Sequence, residues 1–167
     1  LQRAAESVSR KRADRRPGAP APPGKPARRA RDALAYEIEP SEGELERVLP
    51  IFKRHYGSVN GRETRIYPGV LEGLQAMHRA GLKTACVTNK AAAFTGPLLV
   101  ATGLDALLDL TVSGDPLAEK KPHPLPFLHI CAAFGIAPAE ALVVGDSRND
   151  VAGARAAGCP VFCVPYG

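Results

Sequence analysis

Polar residues follow three stretches of this sequence that contain apolar and β-branched residues. They are Thr88, Asn89 and Lys90 after KTACV, Lys120 and Lys121 after LTVSGDPLAE, and Asp146 and Asp150 after ALVVG. A hydroxyl and an ammonium group bind phosphate oxygens, whereas carboxylates bind a hard cation such as Mg²⁺, which prefers oxygen ligands and draws off negative charge. Together these residue types indicate phosphoryl chemistry.

Each of these stretches, taken alone, also has a structural interpretation that involves no chemistry. VTN fits a strand that ends in a turn, GDSRND fits the Asp-capped start of a helix, and KKPHP fits a solvated loop. The occurrence of all three in this order along one chain favours a functional site over coincidence.

Strand patterns and helix patterns alternate from Tyr67 onward, which is typical of a parallel sheet flanked by helices. The predicted strands are KTACVT, LLDLTVSG, ALVVGD and PVFCV, and the predicted helices are VLEGLQAMHRAG, a stretch ending near Gly103, PLPFLHICAAFG and NDVAGARAAG. Because right-handed crossovers make such strands parallel, their carboxyl ends meet at one edge of the sheet, where ligands bind. We therefore expect Thr88, Lys121 and Asp146 to lie in one cleft.

The segment before the sheet region contains an amphipathic helix between Leu34 and about Gly61. Apolar residues recur there at spacings of three to four, namely Leu45, Val48, Leu49 and Phe52. The turn-prone stretch SVNGRET separates this helix from the elements that follow.

Residues 1–33 carry the positive charge of the chain. Ten lysine and arginine residues stand there against three acids, a net charge of +7, whereas twelve against fourteen give −2 over residues 34–167. The run RRPGAPAPPGKPARRAR is rich in proline and lacks apolar periodicity, so we expect disorder. A nucleic-acid-binding arm and an organelle-targeting peptide are less favoured alternatives, because this segment lacks aromatic residues for stacking and an amphipathic period.

Composition limits the class of protein further. The chain of 167 residues is 45% apolar, enough for one globular domain, and shows neither a secretory signal nor a run of about eighteen apolar residues. The four cysteines lack CxxC spacing, so we interpret them as buried reduced thiols, and the four scattered histidines are assigned no metal. We expect a soluble, cytoplasmic protein without a nucleic-acid or membrane partner.

Four stretches resemble the haloacid-dehalogenase-like hydrolases, and within that family most closely the phosphoglycolate phosphatase branch. They are YPGVLEGL, VTNKAAAFTGPLL, GDPLAEKKPHPLPFLH and VVGDSRNDVAGARAAGCP. The resemblance is dense over residues 67–167, weaker over residues 34–64 and absent before residue 34. It implies a Rossmann-like α/β core over residues 67–167 and makes residues 34–66 the end of a helical cap.

The resemblance also implies roles for the polar residues. Thr88, with Asn89 beside it, would bind the transferring phosphoryl group, Lys121 would offset its charge, and Asp146 and Asp150 would bind Mg²⁺. The implied reaction is hydrolysis of a small phosphomonoester through an aspartyl-phosphate, with 2-phosphoglycolate as substrate and glycolate and phosphate as products. Sugar-phosphate phosphatases, mutases and pyrophosphatases share these motifs and are the alternatives.

One motif of the family does not occur in this sequence. An Asp-x-Asp-Gly-Thr run after a strand should supply the nucleophile and a metal ligand, and neither Asp14 nor Asp32 follows a strand pattern. We therefore expect an N-terminally incomplete chain that is inactive alone, with an inactive remnant that binds only Mg²⁺ or phosphate as the alternative. The strand with this motif would lie between those ending at Thr88 and Asp146. We expect a gap there, with marginal stability or aggregation as its consequence.

Overall fold

The computed structural model describes residues 42–165, in which helices and strands alternate. The helices are α1 (Glu42–Val59), α2 (Val70–Arg79), α3 (Ala92–Thr102), α4 (Leu125–Phe134) and α5 (Arg148–Ala157). The strands are β1 (Ala85–Val87), β2 (Leu110–Val112), β3 (Val143–Gly145) and β4 (Val161–Cys163). The predicted order of elements is confirmed over this range, whereas the predictions for residues 1–33 and for the cap before residue 42 lie outside it. None of these helices is long and apolar enough to cross a membrane.

Helix α1 confirms the predicted amphipathic pattern. Leu45 is buried and Phe52 is half-buried. Pro50 lies inside the helix without ending it, although its missing N–H removes one helical hydrogen bond. The Tyr56 ring stacks on Phe52 at a centroid distance of 5.7 Å and meets the Phe94 ring of α3 edge-on at 4.9 Å. These ring contacts join α1 to α3.

The four strands form two parallel pairs within residues 42–165. Strand β1 pairs with β2, where Cys86 lies opposite Thr111, and β3 pairs with β4, where Val144 lies opposite Phe162. The predicted parallel direction is confirmed. In the described range no hydrogen bond joins the two pairs into one sheet. The expected gap between the strands that precede Thr88 and Asp146 stays a prediction, because residues 1–41 lie outside that range.

Helices α4 and α5 connect the two strand pairs through one apolar cluster. Its buried members are Phe127, Cys131, Ala154, Ala157 and Cys159, against which Val87, Val143 and Val161 pack. Because these valines lie on β1, β3 and β4, the cluster covers the same side of both strand pairs. Burial of one large apolar side chain stabilises a fold by roughly 1.5–3 kcal/mol. Side-chain packing therefore holds the two pairs together where backbone hydrogen bonds do not.

The opposite side of the β3–β4 pair exposes large apolar residues. Side chains alternate along a strand, so Val144 and Phe162 point away from the cluster, and they are 59% and 62% exposed. Leu142, just before β3, is 67% exposed. Such a patch supports the expected tendency to aggregate, which stays a prediction.

The cysteines are free thiols in different environments. Cys131 and Cys159 are buried, as predicted, and burial together with the neighbouring Cys131 thiol raises the pKa of Cys159 to about 11. Cys86 is half-buried. Cys163 is exposed on β4, so the prediction of a buried thiol is wrong there.

Gly153 of α5 packs closely against α4. A Cβ at this position would lie 2.8 Å from Phe127 Cε2 and 3.1 Å from Pro122 O. We expect Gly153→Ala to lower the free energy of unfolding in urea by about 1–3 kcal/mol, because overpacking displaces one helix from the other. Gly73→Ala in α2 is the control, since no atom lies within 4 Å of a Cβ there and alanine should add about 0.5–1 kcal/mol. Equal effects of the two substitutions would contradict this description of the helix contact.

Candidate functional site

Thr88 stands at the carboxyl end of β1. Its N–H extends the strand pairing by donating to Val112 O at 2.9 Å. Its Oγ1 accepts a hydrogen bond from the Lys90 N–H at 3.1 Å. Because a hydroxyl has one proton in addition to its lone pairs, the Thr88 O–H group can still donate to an oxygen of a ligand.

Asn89 joins the loop after β1 to the loop that contains Lys121. Asn89 Nδ2 donates to Lys121 O at 2.7 Å. Asn89 Oδ1 is buried without a hydrogen-bond partner among residues 42–165, and the Asn89 N–H has no backbone partner in that range. A side chain at Gly114 would collide with the Asn89 carbonyl, so this close approach requires glycine. Asn89 thus keeps one open acceptor and one open donor.

The Lys121 ammonium group connects β1 to α5. Lys121 Nζ donates to Val87 O at 2.5 Å and forms an ion pair with Asp150 Oδ1 at 2.6 Å. The side chains of Lys121 and Asp150 are only 12% and 8% exposed, so the pair is largely withdrawn from water. An ammonium group has three N–H donors. Two are used by these contacts, and the third is available to a further oxygen.

Asp150 lies in the first turn of α5, where Ser147 and Lys121 hold its carboxylate. The Ser147 N–H donates to Asp150 Oδ2 at 3.0 Å and the Ser147 hydroxyl at 2.5 Å. Burial by itself raises the pKa of this carboxyl, but the hydrogen bonds from Lys121 and Ser147 and the Lys121 charge outweigh burial and lower it. A side chain at Gly145 would collide with Asp150. Asp150 is therefore an ionised group that is already engaged by two residues.

Asp146 follows β3 and is exposed. Its carboxylate is available to a cation, whereas that of Asp150 is bound by Lys121 and Ser147. In the part of the chain that the structure describes, no group of three or more His, Cys, Asp or Glu side chains could hold a metal ion. Asp146 thus presents an open carboxylate, and the assignment of Asp146 and Asp150 as ligands of Mg²⁺ stays a prediction.

The structure brings most of the predicted residues into direct contact. Lys121 is bonded both to Asn89 and to Asp150. Thr88 precedes Asn89 in the sequence. Asp146 follows Gly145, whose backbone packs against the Asp150 side chain. Sequence reasoning missed Ser147, which is the N-cap of α5. The spacing Ser-x-x-Asp of a capping box was the available signal. The interpretation of GDSRND as an Asp-capped helix start is wrong, because Ser147 caps the helix.

Comparison with known proteins identifies what the chain is similar to. Residues 3–158 match the family described as haloacid dehalogenase-like hydrolase. The chain is 52% identical to a phosphoglycolate phosphatase of Thiobacillus denitrificans over 131 residues, which cover 78% of this chain and 58% of the relative. It is 54% identical to the enzyme of the same name from Nitrosospira multiformis over 129 residues, 77% of this chain and 57% of the relative.

The fold is also similar to that of a solved structure. The crystal structure described as a predicted phosphoglycolate phosphatase from Haemophilus somnus superposes with a TM-score of 0.77 at 39% identity, covering 84% of this chain and 64% of that one. The chain spans somewhat more than half the length of the two relatives. The family match begins at residue 3, earlier than the sequence resemblance, which was confined to residues after 33.

The buried ion pair predicts a stability effect that depends on pH. We expect Lys121→Met to lower the free energy of unfolding by about 3–5 kcal/mol at pH 7, because it leaves the Asp150 carboxylate buried without its cation. The pKa of Asp150 is lower in the folded protein than its unfolded value of 3.8, so the ionised carboxylate stabilises the fold at pH values above 3.8. This stabilisation is lost as the pH falls through the folded pKa. The cost of Lys121→Met should therefore shrink below about pH 4.

Urea unfolding at pH 7 and at acid pH measures this effect, and Lys120→Met is the matched control. Lys120 is the exposed neighbour of Lys121, so its loss should change stability by less than about 0.5 kcal/mol at either pH. A cost for Lys121→Met that stays constant with pH would contradict the assigned pairing.

Proposed function

The chain belongs to the haloacid dehalogenase-like hydrolases, and on this premise we propose that it forms part of a Mg²⁺-dependent phosphatase. The proposed reaction is hydrolysis of 2-phosphoglycolate to glycolate and phosphate through an aspartyl-phosphate. The named relatives, at 52% and 54% identity, support this substrate over others. The proposed location is the cytoplasm, which the free thiols support.

One observation carries the proposal: Lys121 joins the loop after β1, which is predicted to bind phosphate, to the first turn of α5. Its backbone carbonyl accepts a hydrogen bond from Asn89 at 2.7 Å, and its ammonium binds Asp150 at 2.6 Å. Residues that are far apart in the sequence thereby converge at the carboxyl ends of parallel strands, where α/β proteins bind ligands.

In the proposed site, three groups of this chain bind the phosphoryl oxygens. They are the Thr88 hydroxyl, the Asn89 N–H and the third N–H of Lys121. Each is an open donor among the described residues. Donors fixed before the reaction stabilise the charge that spreads over these oxygens in the transition state, and Asp150 keeps the Lys121 side chain in place.

Magnesium would be held by Asp146, whose carboxylate is exposed, together with ligands from outside the described residues. When bound, the ion supplies positive charge against the phosphoryl oxygens. Asp150 Oδ2 already accepts two hydrogen bonds from Ser147, whereas Oδ1 accepts one from Lys121 and keeps a lone pair for the ion. In this proposal Asp150 also orients Lys121.

The nucleophile in this proposal comes from an Asp-x-Asp-Gly-Thr run that follows a strand, and no such run occurs among the 167 residues. The two strand pairs each have a free edge, because β1 pairs only with β2 and β3 only with β4 in the described range. A further parallel strand between β1 and β3 would pair with both edges and end beside Lys121.

A second candidate is a remnant that binds phosphate or Mg²⁺ without turnover. The lack of the Asp-x-Asp-Gly-Thr run in this sequence favours it. Sugar-phosphate phosphatase, mutase and pyrophosphatase activities are alternatives within the same chemistry. A nucleic-acid-binding role for residues 1–33 belongs to a different class, and a salt-dependent DNA shift that is lost on deleting them would support it.

Activity of the purified chain tests the proposal. We expect the 167-residue chain to release no phosphate from 2-phosphoglycolate with Mg²⁺, because the covalent step has no nucleophile. An N-terminal extension that adds a strand and the Asp-x-Asp-Gly-Thr run should raise phosphate release about 1,000-fold or more above the enzyme-free background. Parallel assays with sugar phosphates and pyrophosphate identify the substrate.

Two variants serve as controls for this assay. Changing the first aspartate of the added run to asparagine should abolish the gain, and Asp146→Asn should reduce it by weakening Mg²⁺ binding. An extended chain that folds but stays inactive on all these phosphates would favour the remnant. Turnover by the unextended chain that disappears in Asp146→Asn would overturn the account, since another aspartate would then be the nucleophile.

A further inference from the structure

Lys90 has surroundings that the proposed mechanism does not use. Its Nζ donates to Asn60 Oδ1 at 2.6 Å and lies over the Tyr56 ring, 5.1 Å from the centroid. Asn60 is fixed in turn, because its Nδ2 donates to Phe94 O at 2.8 Å. The ammonium group therefore sits at the junction between the end of α1 and the start of α3.

The positive charge of Lys90 is not neutralised by the described residues. Lys90 is half-buried, and no carboxylate of residues 42–165 forms an ion pair with it. Its two contacts there are a neutral amide oxygen and an aromatic ring. Partial withdrawal of an ammonium group from water without an anion is unfavourable, so this position favours an anionic ligand.

The backbone of Lys90 belongs to the loop that would bind phosphate. Its N–H donates to Thr88 Oγ1 at 3.1 Å, and its carbonyl accepts from the Gly114 N–H at 2.8 Å. These two bonds fix the start of the Lys90 side chain two residues from the Thr88 hydroxyl. A lysine side chain is about 6 Å long, so Lys90 Nζ could approach a small ligand whose phosphate would be bound by Thr88.

We propose that Lys90 binds a second anionic group of the substrate, a carboxylate located a few bonds from the phosphate. This inference rests on the proposed function and assigns the residue that distinguishes a carboxylate-bearing phosphomonoester from a neutral one. Lys90 Nζ keeps two N–H donors beyond the bond to Asn60, enough for both oxygens of one carboxylate. Tyr56 and Asn60 hold the ammonium group in position.

The alternative interpretation is that Lys90 has only a structural role, in which its contacts with Tyr56 and Asn60 hold α1 against the loop after β1. A purely structural tie would, when lost, weaken the binding of every ligand at the site to the same extent. Binding of the carboxylate would instead change the preference between two ligands that differ only in that group. The ratio of their dissociation constants, measured on one sample, separates the two interpretations because the folded fraction cancels.

The experiment is calorimetric titration of the 167-residue chain, in buffer with Mg²⁺, by 2-phosphoglycolate and by ethyl phosphate, which lacks the carboxylate. We expect the wild-type chain to bind 2-phosphoglycolate about tenfold more tightly, as one hydrogen-bonded charge pair provides. Lys90→Met keeps an unbranched side chain at this position but removes its charge, and should reduce the ratio to about one. Lys90→Arg keeps the charge and should retain part of the preference.

Lys120→Met removes an exposed charge from the neighbouring loop and should leave the ratio at its wild-type value. The inference is overturned if the wild-type chain shows no preference, if Lys90→Met keeps it, or if Lys120→Met abolishes it equally. The titration measures binding and not turnover. If the extended chain fails to hydrolyse 2-phosphoglycolate, the measured binding preference is unaffected. If the wild-type chain shows no binding preference, the hydrolysis result is likewise unaffected.

Discussion

The buried ion pair between Lys121 and Asp150 is the contact on which the arrangement of the site depends. Neither group is stable alone in a position that is about one-tenth exposed, so each fixes the other. The second donor contact of Lys121, to Val87 O, attaches β1 to this pair, and Ser147 attaches the start of α5. The Lys121–Asp150 ion pair thereby keeps the loops after β1 and β3 close together, although β1 and β3 do not pair with each other.

The division of the sheet explains why this contact matters. Thr88 N–H and Thr84 O form hydrogen bonds on the side of β2, so Val87 O points to the other edge of β1, which no strand within residues 42–165 pairs with. Lys121 satisfies this carbonyl, which would otherwise be an unpaired group beside a buried cluster. The two strand pairs are also held together by the packing of α4 and α5 on the valines of β1, β3 and β4. A fold that relies on side chains at this place is sensitive to single substitutions there.

The sequence predicted the type and order of the elements because apolar period and turn residues are local properties. It did not predict how short the strands are. The predicted strand KTACVT is observed only over Ala85–Val87. At its start, side-chain hydrogen bonds replace strand pairing: Thr84 N–H donates to Asp109 Oδ2, and the Thr84 hydroxyl donates to Leu107 O. Such contacts join residues more than twenty positions apart, and no local pattern reveals them.

The candidate site was predictable in its members but not in its contacts. Residue types at strand ends indicated Thr88, Lys121 and Asp146, whereas the engagement of Asp150 by Lys121 depends on the loop geometry. The sequence placed Lys90 after the first strand but did not reveal its contacts, because its partners Tyr56 and Asn60 lie in α1 and just after it, about thirty positions earlier.

The central claim is that the carboxyl edge of these strands binds a phosphate group. Titration of the isotope-labelled 167-residue chain with inorganic phosphate, followed by amide chemical shifts, tests it most directly. The account predicts saturable shifts at Thr88, Asn89 and Lys121, with little change on α2. Shifts confined to the arginine-rich residues 1–33, or no saturable shift at all, would contradict it.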